Sequence, residues 1–237
     1  MRSDILLRMQ RSGIHLGSIG GTTLRVEITF LILVALFVIL DLERGEPLQR
    51  ALLWIPILFF SVLLHELGHA AMIAFLGFGS SEILLAGFGG LTINRRASRP
   101  GQDILISLAG PFSSFLLALA TIVTLRSVPF ASTDPMLASL LPLLAWANMV
   151  WGVFNLVPIY PLDGGQAFNS LARMITSDRR AAVASIVLSL LLAAAAVLFG
   201  IYHRLFFLAI IAGMLLMQNY QRWQALRDAP PPDGGEG

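Results

Sequence analysis

The sequence predicts an all-α polytopic membrane protein of about six transmembrane helices, with a small membrane-associated β-sheet or hairpin. Three observations predict it. First, hydrophobic residues make up 56% of the 237 and charged residues only 13%. A soluble domain carries roughly 25% charged residues, so the charge here is too sparse to cover a water-facing surface. Second, the mean hydropathy is +0.77, and several apolar runs approach the ~20 residues that cross a bilayer core of ~30 Å. Third, one interval, GFGSSEILLAGFGGLTINRRASRP at 77–100, interrupts that pattern with Gly, Ser and short apolar pieces, and reads as a hairpin.

Taken in order, residues 1–25 form a mixed N-terminal tail whose SIGGTTLRVEI segment has the character of a strand. The scattered Arg residues and the lack of a small-residue cleavage site set this tail apart from a secretory signal. A transmembrane core covers 26–223. Its first span, VEITFLILVALFVIL at 26–40, is short and ends in the charged turn DLERGEP. The second runs over 51–76 and contains HELGH; the hairpin 77–100 follows. In lipid such strands need their backbone groups paired, which places them against protein or at the interface. A third span covers 103–125, a fourth 135–157, and the latter gives way to PIYPLDGGQ. Residues 163–180 are polar enough for a short surface helix. The fifth and sixth spans cover 181–201 and 205–222, and the Pro/Gly-rich tail 224–237 is expected to be disordered.

Composition also excludes chemistry. All 16 basic residues are Arg, so Schiff-base and P-loop lysine mechanisms are absent. There is no Cys, hence no disulfide framework, thiol nucleophile or Cys-held zinc. The net charge of +2 does not point to nucleic acid, because in a membrane chain the placement of basic residues says more than their sum. With six spans, twelve Arg fall on the side of the termini and four on the other. That bias predicts both termini in the cytoplasm; the membrane expected is a bacterial inner membrane.

HELGH carries the chemistry. His65 and His69 stand four apart, which on a helix puts both imidazoles on one face where they can share a tetrahedral metal. Glu66, beside the first, is placed to take a proton from water. With 4 His in the chain, random placement predicts only ~0.002 such motifs. These three are also the only ionisable residues between Ala51 and Leu76, and ionisable groups inside a span are functional by default. A catalytic zinc usually takes a third protein ligand. His65 lies ~21 Å along its span, in the cytoplasmic third, and the fourth span ends at the same level in LDGG with Asp163. The bland reading of Asp163 is an Asp-Gly turn; matching depth favours the ligand. His15 in the tail and His203 in a loop on the opposite side fall outside this constellation. The run AGPFSS, Ala109 to Ser114, reads either as a kink with close helix packing or as local unwinding that exposes backbone donors near the metal.

At HELGH in the second span and NLVPIYPLDGG after the fourth, with AGP between them, the sequence resembles the site-2 protease family of intramembrane zinc metalloproteases (peptidase family M50). The resemblance implies one zinc ion per chain held by His65, His69 and Asp163, with Glu66 as general base. It implies that Asn155, eight residues before Asp163, binds the substrate backbone or the oxyanion, and that Gly110, Pro111 and Ser114 support the site. Members often carry Asn where this chain has Ser114; a polar side chain is kept, so a tuned site is expected. The resemblance further implies a transmembrane protein substrate that unwinds within the lipid bilayer to enter as an extended strand. A strand edge within 80–95 would receive it by β-augmentation. The chain looks like the minimal catalytic core, without a PDZ-like insertion or a nucleotide-sensing (CBS) domain. The alternative from a different class is a non-proteolytic zinc-binding membrane protein or zinc transporter. A transporter has no need of Glu beside the first His.

Overall fold

The computed structural model describes residues 13–87, 89–93, 98–129 and 133–228. Residues 1–12, Arg95 and Arg96 of the Arg count, and the tail from 229 lie outside the described residues. The chain divides into two compact units, one formed by residues up to 98 with 108–154, the other by 99–107 with 155 onward.

In the first unit the strands β1 (Ile14–Ile19), β2 (Thr22–Val26), β3 (Glu82–Ala86) and β4 (Gly89–Ile93) form one sheet in that order. The tail therefore supplies two strands where one was expected. Gly20 and Gly21, at φ 56° and 83°, make the two-residue turn that a tight hairpin requires. β2 then pairs in parallel with β3, Thr23 opposite Glu82 through Val26 opposite Leu85, and β3 pairs antiparallel with β4. β3 reads ILL because Ile83, Leu84 and Leu85 are all buried, as befits a central strand covered on both sides.

Helix α1 (Ile28–Glu43), the single turn α2 (Leu48–Ala51) and α3 (Trp54–Phe75) follow around that sheet. Leu24, Val26, Phe30, Ile57, Val62 and Leu85 form the centre of the core. α3 ends where Gly77 takes φ 78°; the amide of Phe78 reaches Ile73 O and that of Gly77 reaches Ala74 O, the closing pattern of a Schellman motif. Helices α4 (Pro100–Ser127) and α5 (Pro135–Asn155) complete the long elements before the second unit. That unit holds α6 (Asp163–Ile175), α7 (Asp178–Tyr202) and α8 (Phe206–Asp228). In it Arg173 joins Asp103 (3.4 Å) and Asp178 (2.9 Å).

Every expected span is a helix, but among the described residues only four stretches are long and apolar enough to cross a membrane: Leu48–Phe75, Pro100–Ser127, Pro135–Asn155 and Asp178–Tyr202. The count of six is thus not reached, for two separate reasons. α1 has 16 residues, a rise of ~24 Å. α8 has 23 residues, but its second half, QNYQRWQALRD, is polar. α8 also continues to Asp228, so residues 224–228 are helical rather than part of a disordered tail. Ala, Leu and Arg there favour helix.

Candidate metal centre and catalytic base

α3 presents His65 and His69 one turn apart, with ring centroids 5.0 Å apart at 77°. His65, Glu66 and His69 are 2%, 3% and 6% exposed, so none is a solvated face charge. α4 supplies what surrounds the rings. Nδ1 of His65 lies 3.0 Å from Oγ of Ser114, itself fully buried. An imidazole engaged at Nδ1 offers Nε2 to a metal, with its orientation fixed by the second contact. Both Nε2 atoms face Gly110: a Cβ built there would strike that of His69 and lie 2.7 Å from that of His65. The absent side chain leaves open the space that an ion shared by the two rings would occupy. Two neutral imidazoles with a carboxylate are a donor set suited to zinc, so the residues fit the metal.

The AGP segment is continuous helix, with buried Pro111 inside α4. Of the two readings, close packing holds. A Cβ on Gly68 of α3 would fall 2.6 Å from Ala109 O, and Ser113 Oγ donates to Gly110 O (2.7 Å) and Leu64 O (3.1 Å). One small-residue contact thus sets α4 against the histidine face.

Glu66 meets the sheet. Thr92 Oγ1 of β4 donates to Glu66 Oε2 at 2.7 Å and to the main-chain oxygen of Glu66 at 3.2 Å. Trp151 of α5 stands edge-on to His65 with centroids 6.4 Å apart. One turn from it, buried Asn148 donates to Ser61 Oγ (2.8 Å) and to Leu144 O (2.9 Å). Thr92, Trp151, Ser61 and Asn148 were not read from the sequence. A polar Asn inside an apolar span was the available signal for one of them; Thr92 had none, because strand pairing brings it there.

In the second unit, Asn155 and Asp163 flank a folded loop, and both are buried. Asp163 opens α6. The two glycines after it are explained by close approach: a Cβ on Gly164 would meet Leu156 O, and one on Gly165 would meet Tyr160 N. α7 and α8 hold the loop. The amide of Tyr160 donates to Ser189 Oγ (2.9 Å), and Tyr160 O accepts from Nδ2 of buried Asn219 (2.5 Å). The Arg222 guanidinium sits 3.8 Å over the Tyr160 ring, and Gln166 Nε2 donates to Pro161 O (2.9 Å). His15 lies on exposed β1 and His203 is exposed at the end of α7, both apart from these residues in sequence and element.

The profile of M50B-like peptidases matches residues 28–162, and that of peptidase family M50 matches 127–199. The chain belongs to the M50 peptidase family. The resemblance to site-2 proteases drawn from HELGH and LDGG is thereby borne out. A zinc metalloprotease of Methanocaldococcus jannaschii is 30% identical over 158 residues, 67% of this chain and 45% of the relative. Rip3 of Mycobacterium tuberculosis is 31% identical over 172 residues, 66% of this chain and 42% of that protein. The chain thus spans less than half the length of these relatives. The solved site-2 protease from Methanocaldococcus jannaschii matches with a TM-score of 0.66 at 24% identity, over 94% of this chain and 100% of that one. That likeness establishes a shared fold of apolar helices with a small sheet.

Proposed function

We propose that this protein is an intramembrane zinc metalloprotease that hydrolyses peptide bonds in transmembrane segments of membrane proteins. In this reading one zinc is held by His65, His69 and Asp163, and Glu66 is the general base. The observation that carries the reading is the HELGH helix itself: two buried imidazoles turned to the space beside Gly110, with a buried carboxylate next to them.

When bound, zinc supplies a Lewis acid that polarises a carbonyl and lowers the pKa of water toward ~7. The remaining work falls to the chain. Glu66 takes the proton of the attacking water and delivers it to the leaving amine. Asn155 donates to the substrate backbone or to the oxygen that gains charge. Burial of all five groups excludes bulk water and strengthens each contact. β4 ends the sheet order, so its outer edge offers backbone partners to a substrate that has lost its helical hydrogen bonds. A transporter would have no use for a carboxylate gripped by a strand beside the ligands.

An orientation with both termini and the site toward the cytoplasm of a bacterial cell follows from the Arg split if α1 and α8 also cross the membrane. Because the chain has no Cys, single introduced cysteines probed with an impermeant thiol reagent test this directly; labelling of residue 2 or 227 from outside intact cells would reverse it. For the reaction, Glu66→Gln is expected to keep one zinc per chain and to lose cleavage of a co-expressed single-span membrane reporter. Undiminished cleavage by that variant would refute the general-base role.

A further inference from the structure

Strand β4 does more than end the sheet. Thr92 and Gly90 are two apart, on one face of the strand, and that face meets Glu66. Thr92 Oγ1 donates to Oε2 of Glu66 at 2.7 Å and to its main-chain oxygen at 3.2 Å. A Cβ on Gly90 would collide with Cγ, Cδ and Oε1 of the same side chain. The strand therefore forms a slot: a glycine floor that admits the side chain and one hydroxyl at its end.

We propose that Thr92 is a positioning residue for Glu66, its hydroxyl fixing the carboxylate so that strand β4 sets the catalytic base. The proposal rests on the general-base role given to Glu66 above. A glutamate has three side-chain torsions to freeze, and helix α3 constrains only the first of them closely. The Thr92 hydroxyl occupies a lone pair of Oε2 and leaves those of Oε1 free for the proton. The second bond, to the main-chain oxygen, ties the same hydroxyl to the helix that carries His65 and His69. Strand β4 and the ligand helix are thereby held in register by one side chain.

The test uses the full-length, zinc-loaded protein in detergent with fluorescently labelled casein, an unfolded chain that needs no unwinding. Thr92→Val keeps shape and β-branching but removes the hydroxyl. It is expected to lower kcat about 10- to 100-fold, the usual effect of deleting a partner that orients a working group, while KM and zinc content stay at the wild-type level. Thr92→Ser is expected to recover most of the lost rate. A second readout does not depend on turnover. The carboxylate stretching band of Glu66, isolated in metal-free protein as wild type minus Glu66→Gln, should shift in Thr92→Val and return in Thr92→Ser. An unchanged kcat and an unshifted band in Thr92→Val would overturn the proposal. So would a Thr92→Ser variant as slow as Thr92→Val, or a loss of rate that tracks a loss of zinc. If wild type and Glu66→Gln cleave casein equally, the reading of Glu66 as base fails instead, and the infrared comparison still decides whether Thr92 holds its carboxylate.

Discussion

Replacing Gly110 with Ala adds one carbon, and the structure says where it goes. The new Cβ would strike Nε2 of His69 and lie 2.7 Å from Nε2 of His65, so both rings must turn away. Neither turns freely: both are buried, and His65 is tied through Nδ1 to Ser114. Two opposing effects act on the metal-free protein. Ala in a helix interior is favoured over Gly by roughly 0.5–1 kcal/mol. Forcing one extra carbon into a packed site costs about 1–3 kcal/mol. The metal-free variant is therefore expected to lose no more than about 2.5 kcal/mol. Zinc behaves differently. At a free concentration a thousandfold above Kd, binding stabilises the wild type by ~4.1 kcal/mol. The variant should show almost none of that increment, because the added methyl occupies the ion's place. Thermal melts with excess zinc and with chelator, together with metal analysis after dialysis, measure both quantities. A Gly110→Ala protein that retains one zinc per chain at wild-type affinity would refute the placement of the metal beside Gly110.

Two further substitutions separate metal orientation from loop support. Ser114→Ala removes the partner of His65 Nδ1 and should weaken zinc binding about 10- to 100-fold, read by chelator competition; Ser114→Asn, which keeps a hydrogen-bonding group, should lie closer to wild type. Asn219→Leu leaves the buried Tyr160 oxygen without its donor and should cost about 1–3 kcal/mol of stability, read as a lower Tm of metal-free protein.

The elements were legible because apolar runs and their polar breaks are local properties, and each expected span is a helix. HELGH was legible because the two proposed ligands and the proposed base sit within five residues of one helix. The number of spans was not: the first run forms a helix of only 16 residues, and the last carries a polar second half. The sheet was half legible: the strand character of SIGGTTLRVEI shows in sequence, but the parallel pairing of β2 with β3 joins residues 59 apart, Thr23 with Glu82. The glycines of LDGG suggested a turn; they are in fact small because the preceding loop lies against the first turn of α6. The same limit hid Thr92, which reaches Glu66 through β4 pairing with β3 and not through its own sequence neighbours.

The small polar residues of the apolar helices follow one rule that relates composition to chemistry. A chain with 13% charged residues has few ionic groups with which to hold irregular backbone in place, and ionic groups in lipid are expensive. Short neutral side chains take that task here. Ser113 satisfies carbonyl oxygens where α3 and α4 touch. Ser189 and Asn219 satisfy the amide and carbonyl of Tyr160 in the loop before Asp163. Asn148 joins Ser61 one turn before His65. Each such bond is worth only about 1 kcal/mol when made, but an unmade partner in a dry interior costs more than that. Their value is therefore less in added stability than in excluding other arrangements of the same helices. His65, Glu66 and His69 are buried in an apolar helix where neutral side chains would have packed more cheaply, and the proposed chemistry accounts for all three.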